Sequence, residues 1–428
     1  MKYFGTDGIR GIYGEDLTPS LAEKVGKSLS LFCERKKVLI GRDTRQSGSA
    51  LTISLTSGLV NHGVNVVDIG IAPTPVISFL TKELNADYGV VISASHNPPA
   101  YNGIKIFDSN GNKINNCLEE QIEQNLDSFV ALSPAKYEFN DKLINIYKTH
   151  FLNKFDRLDG LKIVLDCGFG ASYNIAKEMF TSLRANVIAE NDQPIGEKIN
   201  VNCGALNPSI ISNAVIKNNA DIGFSFDGDA DRIIVCDENG VVLDGDDILQ
   251  ILSDYFNCNC VVGTVMSNKG FETYLKSQNK ILLRSDVGDK NVGKLMRENN
   301  VLVGGEQSGH IIISSLSPTG DATLVALTIS NILKKTNKKL SQLENYKKYP
   351  QVLTNITVKD KNNILNDTEL QNLINHYEKN LGVKGRVLVR ASGTENKLRV
   401  MCEHEEKDVA INVCNNLKEV IEKLNSNF

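Results

Sequence analysis

Short β-branched runs alternate with helical stretches, and this order repeats three times along the chain, which restricts the fold to α/β layers. In the first series, residues 36–41 (KKVLIG), 64–70 (VNVVDIG), 88–94 (YGVVISA) and 104–107 (IKIF) predict strands, with a helix over 47–62. A polar stretch at 141–156 leads into a second series. There, 161–168 (LKIVLDCG), 186–190 (NVIAE) and 221–226 (DIGFSF) predict strands, with helices over 171–183 and 208–217. The third series has helices over 246–256, 269–276 and 291–297 and strands at 261–265, 281–284 and 301–305. Residues 334–350 are polar, end in proline and predict a linker. Beyond it, strands at 352–358, 386–390 and 397–403, a helix over 370–377 and a C-terminal helix predict a smaller α+β domain.

At 428 residues the chain needs more than one hydrophobic core. Its net charge of −4 is spread along the sequence, which leaves no basic footprint for nucleic acid. Its apolar runs fall well short of the ~20 residues of a membrane span. The first fifteen residues carry Asp7 and glycines where a signal peptide needs an unbroken apolar region, so a cytoplasmic location is expected. The nine cysteines are scattered and several have apolar neighbours, which predicts reduced core thiols. Cys258 and Cys260 have no second Cys or His pair at zinc spacing and are expected to be structural.

Four segments carry chemistry. DGDADR (227–232) lies between the apolar runs DIGFSF and IIVCD, so a strand-to-strand loop presents Asp227, Asp229 and Asp231 as hard oxygen ligands suited to Mg²⁺ or Ca²⁺. An EF-hand would need glycine where Arg232 stands, and its flanks would be helices. A haloacid-dehalogenase-type nucleophile usually has Thr or Val in place of Asp231. SASHNP (93–98) follows a strand, which makes Ser95 a candidate exposed nucleophile or, alternatively, a helix N-cap. RASGTENKLR (390–399) offers Arg390, Ser392, Thr394 and a backbone opened by Gly393 as an anion cradle, or an ordinary polar turn. GGEQSGH (304–310) brings glycines around Glu306 and Ser308, a loop whose backbone can approach a sugar.

Together with the opening FGTDGIRG (4–11), these segments resemble the α-D-phosphohexomutase superfamily, most closely its phosphoglucosamine mutase branch, in the same order and over the whole chain. The resemblance implies four domains around a central cleft, three sharing a mixed-sheet α/β topology and a smaller α+β C-terminal domain. The expected boundaries are 1–155 with the serine loop, 156–245 with the metal loop, 246–350 with the sugar loop and 351–428 with the phosphate loop. It implies phosphorylation of Ser95, one Mg²⁺ held by Asp227, Asp229, Asp231 and a phosphate oxygen on Ser95, sugar contacts from Glu306 and Ser308, and phosphate contacts from Arg390, Ser392, Gly393 and Thr394. Arg10 is expected at the phosphoserine. His96, Lys105, Arg232 and His310 can move protons or stabilise charge.

The implied reaction interconverts glucosamine 6-phosphate and glucosamine 1-phosphate through a 1,6-bisphosphate, and supplies amino-sugar precursors for the cell envelope. Residues 98–107 (PPAYNGIKIF) lean toward the phosphomannomutase/phosphoglucomutase branch, whereas Gln307 leans toward the amino sugar. A Mg²⁺-dependent phosphatase would have no need of the second phosphate cradle. A calcium-binding module does not fit the strands around Asp227. The partners expected are a phosphosugar and, at most, a second copy of the chain.

Overall fold

Val38 and Ile40 of the strand Lys37–Arg42 pack against Leu51, Leu55 and Leu59 of the helix Gly48–Val60, while Leu39 between them is equally buried on the other face. A strand buried on both faces reads as a continuous apolar run, which is why KVLIGR lacks alternation. The structure is a computed structural model and describes residues 2–128, 133–392 and 396–426. Lys37–Arg42 lies in a seven-stranded sheet and is parallel to Asn65–Ile71 and Tyr88–Ile92. Tyr101–Phe107 returns antiparallel to Tyr88–Ile92 and pairs on its other edge with Gly8–Ile12.

A second sheet of five strands has Ile222–Phe226 parallel to Lys162–Asp166 and antiparallel to Ile233–Cys236. Phe226 faces Ile233 across this hairpin, so residues 227–232 form its tip. In a third sheet, of four strands, Val303–Gly305 and Ile311–Ile313 form another hairpin, with Gly305 opposite Ile311. The strand pattern thus places the metal loop and the sugar loop on hairpin tips and the serine loop at a strand end. A three-stranded antiparallel sheet, with Lys397–His404 between Gln351–Thr357 and Gly385–Ala391, packs against the helices Thr368–Leu381 and Lys407–Ser426 around its own apolar cluster. The three mixed α/β sheets and the smaller α+β sheet agree with the expected fold class.

By contact the chain forms two compact units, Met1–Val265 with Leu283–Glu344, and Met266–Leu282 with Asn345–Phe428. In the second unit Asn268 caps the helix Lys269–Ser277 and donates to the Tyr349 carbonyl at 3.0 Å.

Residues 141–156 are no mere polar passage: Ile144–Leu152 is a helix whose Tyr147 and Phe151, four residues apart, are buried against Phe79. The expected linker at 334–350 is partly helical too. Lys334–Thr336 complete the helix Ala322–Thr336, and Leu340, in a short 3₁₀ turn, is fully buried. The helix expected over 171–183 is confined to Ile175–Ser182. No disulfide joins the nine cysteines, but Cys117 is exposed, against the expectation of core thiols, because it lies in the first turn of the solvent-facing helix Asn116–Gln124. Among the described residues no helix is long and apolar enough to cross a membrane.

Candidate active site

Ser95 stands three residues beyond the strand Tyr88–Ile92 with φ +51°, a left-handed backbone unusual for a residue with a side chain. No helix follows it, so the N-cap reading fails. It is also fully buried rather than exposed, because the metal loop closes over it. The Ser95 hydroxyl donates to Asp227 Oδ2 at 2.6 Å and lies 3.5 Å from Asp231 Oδ1 and 3.3 Å from His96 Nδ1. Gly228 makes this approach possible: a Cβ there would sit 2.7 Å from the Ser95 carbonyl oxygen.

Asp227, Asp229 and Asp231 are buried, and one oxygen of each lies within 4.8 Å of the others. Lys105, also buried, donates to Asp229 Oδ2 at 2.7 Å and to Asp231 Oδ2 at 2.8 Å. Burial, with Asp231 and Asp229 beside it, pushes the Asp227 carboxyl well above the ordinary carboxylate range. Burial acts the same way on Asp231, but Lys105, His310, Arg232 and Lys113 outweigh it and hold that carboxyl well below the range. For Lys105 the burial penalty is likewise overcome by Asp229 and Asp231, which raise its ammonium. Asp229 Oδ1 is buried with no hydrogen-bond partner. Three converging carboxylates with one oxygen left unsatisfied fit a hard divalent cation such as Mg²⁺.

The loop is braced from outside. Thr74 donates its backbone N–H to the Asp229 carbonyl at 2.9 Å and its hydroxyl to the Asp229 carboxylate. The Arg232 backbone N–H donates to Asp227 Oδ1 at 3.1 Å, while its guanidinium Nε is buried 4.0 Å from Asp231 Oδ1 with no hydrogen-bond partner. His96 is kept neutral by burial and by Arg232 and Arg10, which lower its imidazole to about 4. Arg10 donates to Asn97 Oδ1 at 3.2 Å and to Asp7. Lys113 bonds both Asp7 and Asp289, and His310 Nε2 lies 3.3 Å from Asp289 without hydrogen-bond alignment. Burial lowers the Lys113 ammonium despite Asp289.

The sugar loop joins this centre through backbone. Gly309, at φ +91°, accepts the Ile233 N–H at 3.0 Å in a space where a Cβ would meet the Ile233 carbonyl at 2.1 Å. Glu306 is buried, and its Oε1 accepts the Gly288 N–H at 2.9 Å. Gln307 Nε2 lies 3.3 Å from Asp244 Oδ2, and Ser308 is exposed. In the smaller unit Arg390 and Arg399 oppose each other on paired strands, and burial followed by Arg399 lowers the Arg390 guanidinium. Ser392 is buried, and its carbonyl accepts from Lys361 at 2.7 Å. Gly393 and Thr394 lie outside the described residues.

The structure therefore gathers Ser95, His96, Lys105, Asp227, Asp229, Asp231, Arg232 and Arg10 in one place, with His310 linked to them through Asp289 and Lys113. Sequence reasoning missed Asp7, Thr74, Lys113 and Asp289. Asp7 lies inside the FGTDGIRG segment and could have been read there, whereas Thr74, Lys113 and Asp289 carry no local signal.

Four family models cover nearly all of the chain. They describe phosphoglucomutase/phosphomannomutase alpha/beta/alpha domain I at residues 1–130, domain II at 138–240, domain III at 244–349 and the C-terminal domain at 353–420. A phosphoglucosamine mutase from Thermoanaerobacter sp. (strain X514) is 44% identical over 443 residues, covering 99% of each chain. One from Natranaerobius thermophilus is 42% identical over 438 residues, again covering 99% of each. The crystal structure of a phosphoglucomutase/phosphomannomutase family protein from Burkholderia thailandensis superposes with a TM-score of 0.84 at 21% identity, covering 98% of this chain and 97% of that one. With four matching domain models in order, full-length relatives above 40% identity and a shared fold, the chain belongs to the phosphoglucomutase/phosphomannomutase family of the α-D-phosphohexomutase superfamily.

Proposed function

We propose that the chain is a phosphoglucosamine mutase, interconverting glucosamine 6-phosphate and glucosamine 1-phosphate through phospho-Ser95 and a 1,6-bisphosphate. The observation that carries this reading is the Ser95 hydroxyl, fully buried, 2.6 Å from the first of three clustered carboxylates. The full-length relatives of that name support the amino-sugar substrate. O1 and O6 of one sugar are too far apart for a single attack, so a carried phosphate divides the reaction into two transfers. Phospho-Ser95 donates to O1, and the O6 phosphate of the intermediate returns to Ser95 Oγ.

Asp227, Asp229, Asp231 and a phosphate oxygen on Ser95 would hold Mg²⁺, which when bound neutralises charge on the transferring group. The chain's own residues supply the rest. Ser95 Oγ donates to Asp227 at 2.6 Å, so a carboxylate oxygen lies within reach of the proton the hydroxyl gives up when it attacks. Arg10 and Arg232 bring fixed positive charge toward the transferring phosphoryl group, and neutral His96 beside Ser95 Oγ can exchange a proton there. His310 is held near Asp289 with no donor or acceptor already committed. Glu306 and Ser308 are read as sugar contacts, and Arg390, Ser392, Gly393 and Thr394 as ligands of a substrate phosphate. The reading carries a cytoplasmic location with it, supported by nine cysteines that form no disulfide, and a monomer or homodimer.

A coupled assay comparing glucosamine 6-phosphate with glucose and mannose phosphates tests the substrate. Intact-protein mass spectrometry tests the carrier: wild type should show added phosphate and Ser95→Ala should not. Normal turnover by Ser95→Ala would end the carrier reading.

A further inference from the structure

Ser93 is fully buried two residues before the proposed carrier. Its hydroxyl donates to Asp43 Oδ2 at 2.6 Å and accepts the Ser95 backbone N–H at 2.9 Å. The same Asp43 oxygen accepts Arg45 Nε at 2.9 Å, so it serves as the acceptor for both side chains. Arg45 is 2% exposed and has no donor to spare. Nε bonds Asp43 at 2.9 Å, Nη1 bonds the carbonyls of Pro98 and Tyr101, and Nη2 bonds those of Ser95 at 3.0 Å and Asn97 at 2.7 Å. Asn200, from the second sheet's domain, adds a bond to the Ser95 carbonyl at 2.9 Å and another to that of Asn97 at 3.2 Å. Side chains therefore hold both the N–H and the C=O of Ser95. They do so at a φ of +51°, a left-handed backbone that is strained for a residue with a side chain and needs such support to persist.

We propose that Asp43, Ser93, Arg45 and Asn200 are positioning residues for phosphoryl carriage. They immobilise the Ser95 backbone, so the Cα–Cβ torsion is the freedom left to aim Oγ. The serine loop then keeps one conformation through both transfers, and the sugar is the part that moves. This proposal rests on Ser95 being the carrier. A freely rotating loop would present Oγ in many directions, whereas one fixed geometry preserves the alignment that transfer requires.

The experiment loads full-length enzyme with glucose 1,6-bisphosphate and follows phosphorylation of Ser95 by intact mass, alongside kcat, KM for the sugar phosphate and Tm. Ser93→Ala should phosphorylate about tenfold more slowly or worse, with KM within about twofold of wild type. Ser93→Thr, which keeps the hydroxyl, should recover most of the rate. Asn200→Ala, a second variant that leaves Asp43 and Arg45 paired, should show a smaller loss, about threefold, in rate and not in KM. Wild-type rates in both alanine variants would overturn the proposal. So would a loss shared by rate, KM and Tm that threonine does not restore. Wild type that takes up no phosphate would overturn the carrier reading and this proposal together, and the wild-type arm separates that result from the others.

Discussion

The Ser95 hydroxyl donates to Asp227 across 2.6 Å, so the proposed carrier oxygen and a proposed metal ligand are already in contact in the unphosphorylated chain. Phosphorylation replaces that donor with a group of roughly −1.5 to −2 charge beside three carboxylates. The phosphorylated protein should therefore bind Mg²⁺ about tenfold or more tightly than Ser95→Ala, and Asp229→Asn should lose affinity because it removes one negative charge from the ligand set. Calorimetry on the three proteins decides this. Equal affinities would reduce DGDADR to a hairpin turn.

Lys105 places its ammonium between Asp229 and Asp231. Lys105→Met leaves two buried carboxylates without that partner, a change that costs about 3–5 kcal/mol for buried pairs. The variant should show a clearly lower Tm in EDTA, and Mg²⁺ should restore more of it than the same Mg²⁺ adds to wild type. A Tm loss identical with and without Mg²⁺ would separate Lys105 from the metal site.

Asp321 gives a pH effect of definite sign. Burial raises its carboxyl from 3.8 to about 6, while Tyr147, donating at 2.6 Å, and the Leu324 N–H pull it down. Between those two pH values the folded chain keeps a proton that the unfolded chain releases. Its contribution to stability is thus fully present below about pH 4 and is lost as pH rises through 6. Asp321→Asn, which can still accept the Leu324 N–H, should gain on wild type by on the order of 3 kcal/mol between pH 4 and pH 7. Thermal unfolding of both proteins across that range measures it, and parallel Tm curves would contradict the burial argument.

What was legible in the sequence was local. KVLIGR, IGFSF and IIVC read as strands because burial on both faces leaves short, largely apolar runs without alternation, and DGDADR between two of them could only be a loop. The helix Ile144–Leu152 hid behind its lysine, asparagine and threonine residues, since what orders it is Tyr147 and Phe151 meeting Phe79 from far along the chain. The same limit governs the site. Asp289 and Lys113 are 176 positions apart, and Thr74 is 155 from Asp229, so no spacing rule could link them. A strand-end loop is usually exposed, whereas Ser95 is buried by groups brought from far along the chain, among them Arg45, Asn200 and Asp227, with Gly228 permitting the close approach.

The sugar loop provides the test of substrate choice. Glu306 already accepts the Gly288 N–H through Oε1, so its second oxygen is the one left for a ring hydroxyl or an ammonium, and Glu306→Ala also releases a partly buried backbone donor. That variant should lose activity on every sugar by about tenfold or more. Gln307 is different, because its amide is tied to Asp244 at 3.3 Å rather than to the loop's own backbone. Gln307→Met cuts that tie and turns a polar wall apolar, so it should change the ratio of kcat/KM for glucosamine phosphate to that for glucose phosphate while leaving the glucose value nearly unchanged. An apolar exchange of this kind shifts discrimination by roughly 1–3 kcal/mol, and the site rejects a hexose strongly only where the missing amine leaves a buried polar group unpaired. Measurable wild-type activity on glucose phosphate is therefore expected. If wild type instead prefers glucose or mannose phosphate over glucosamine phosphate, the segment Pro99–Tyr101 was the better guide and the chain acts on hexoses.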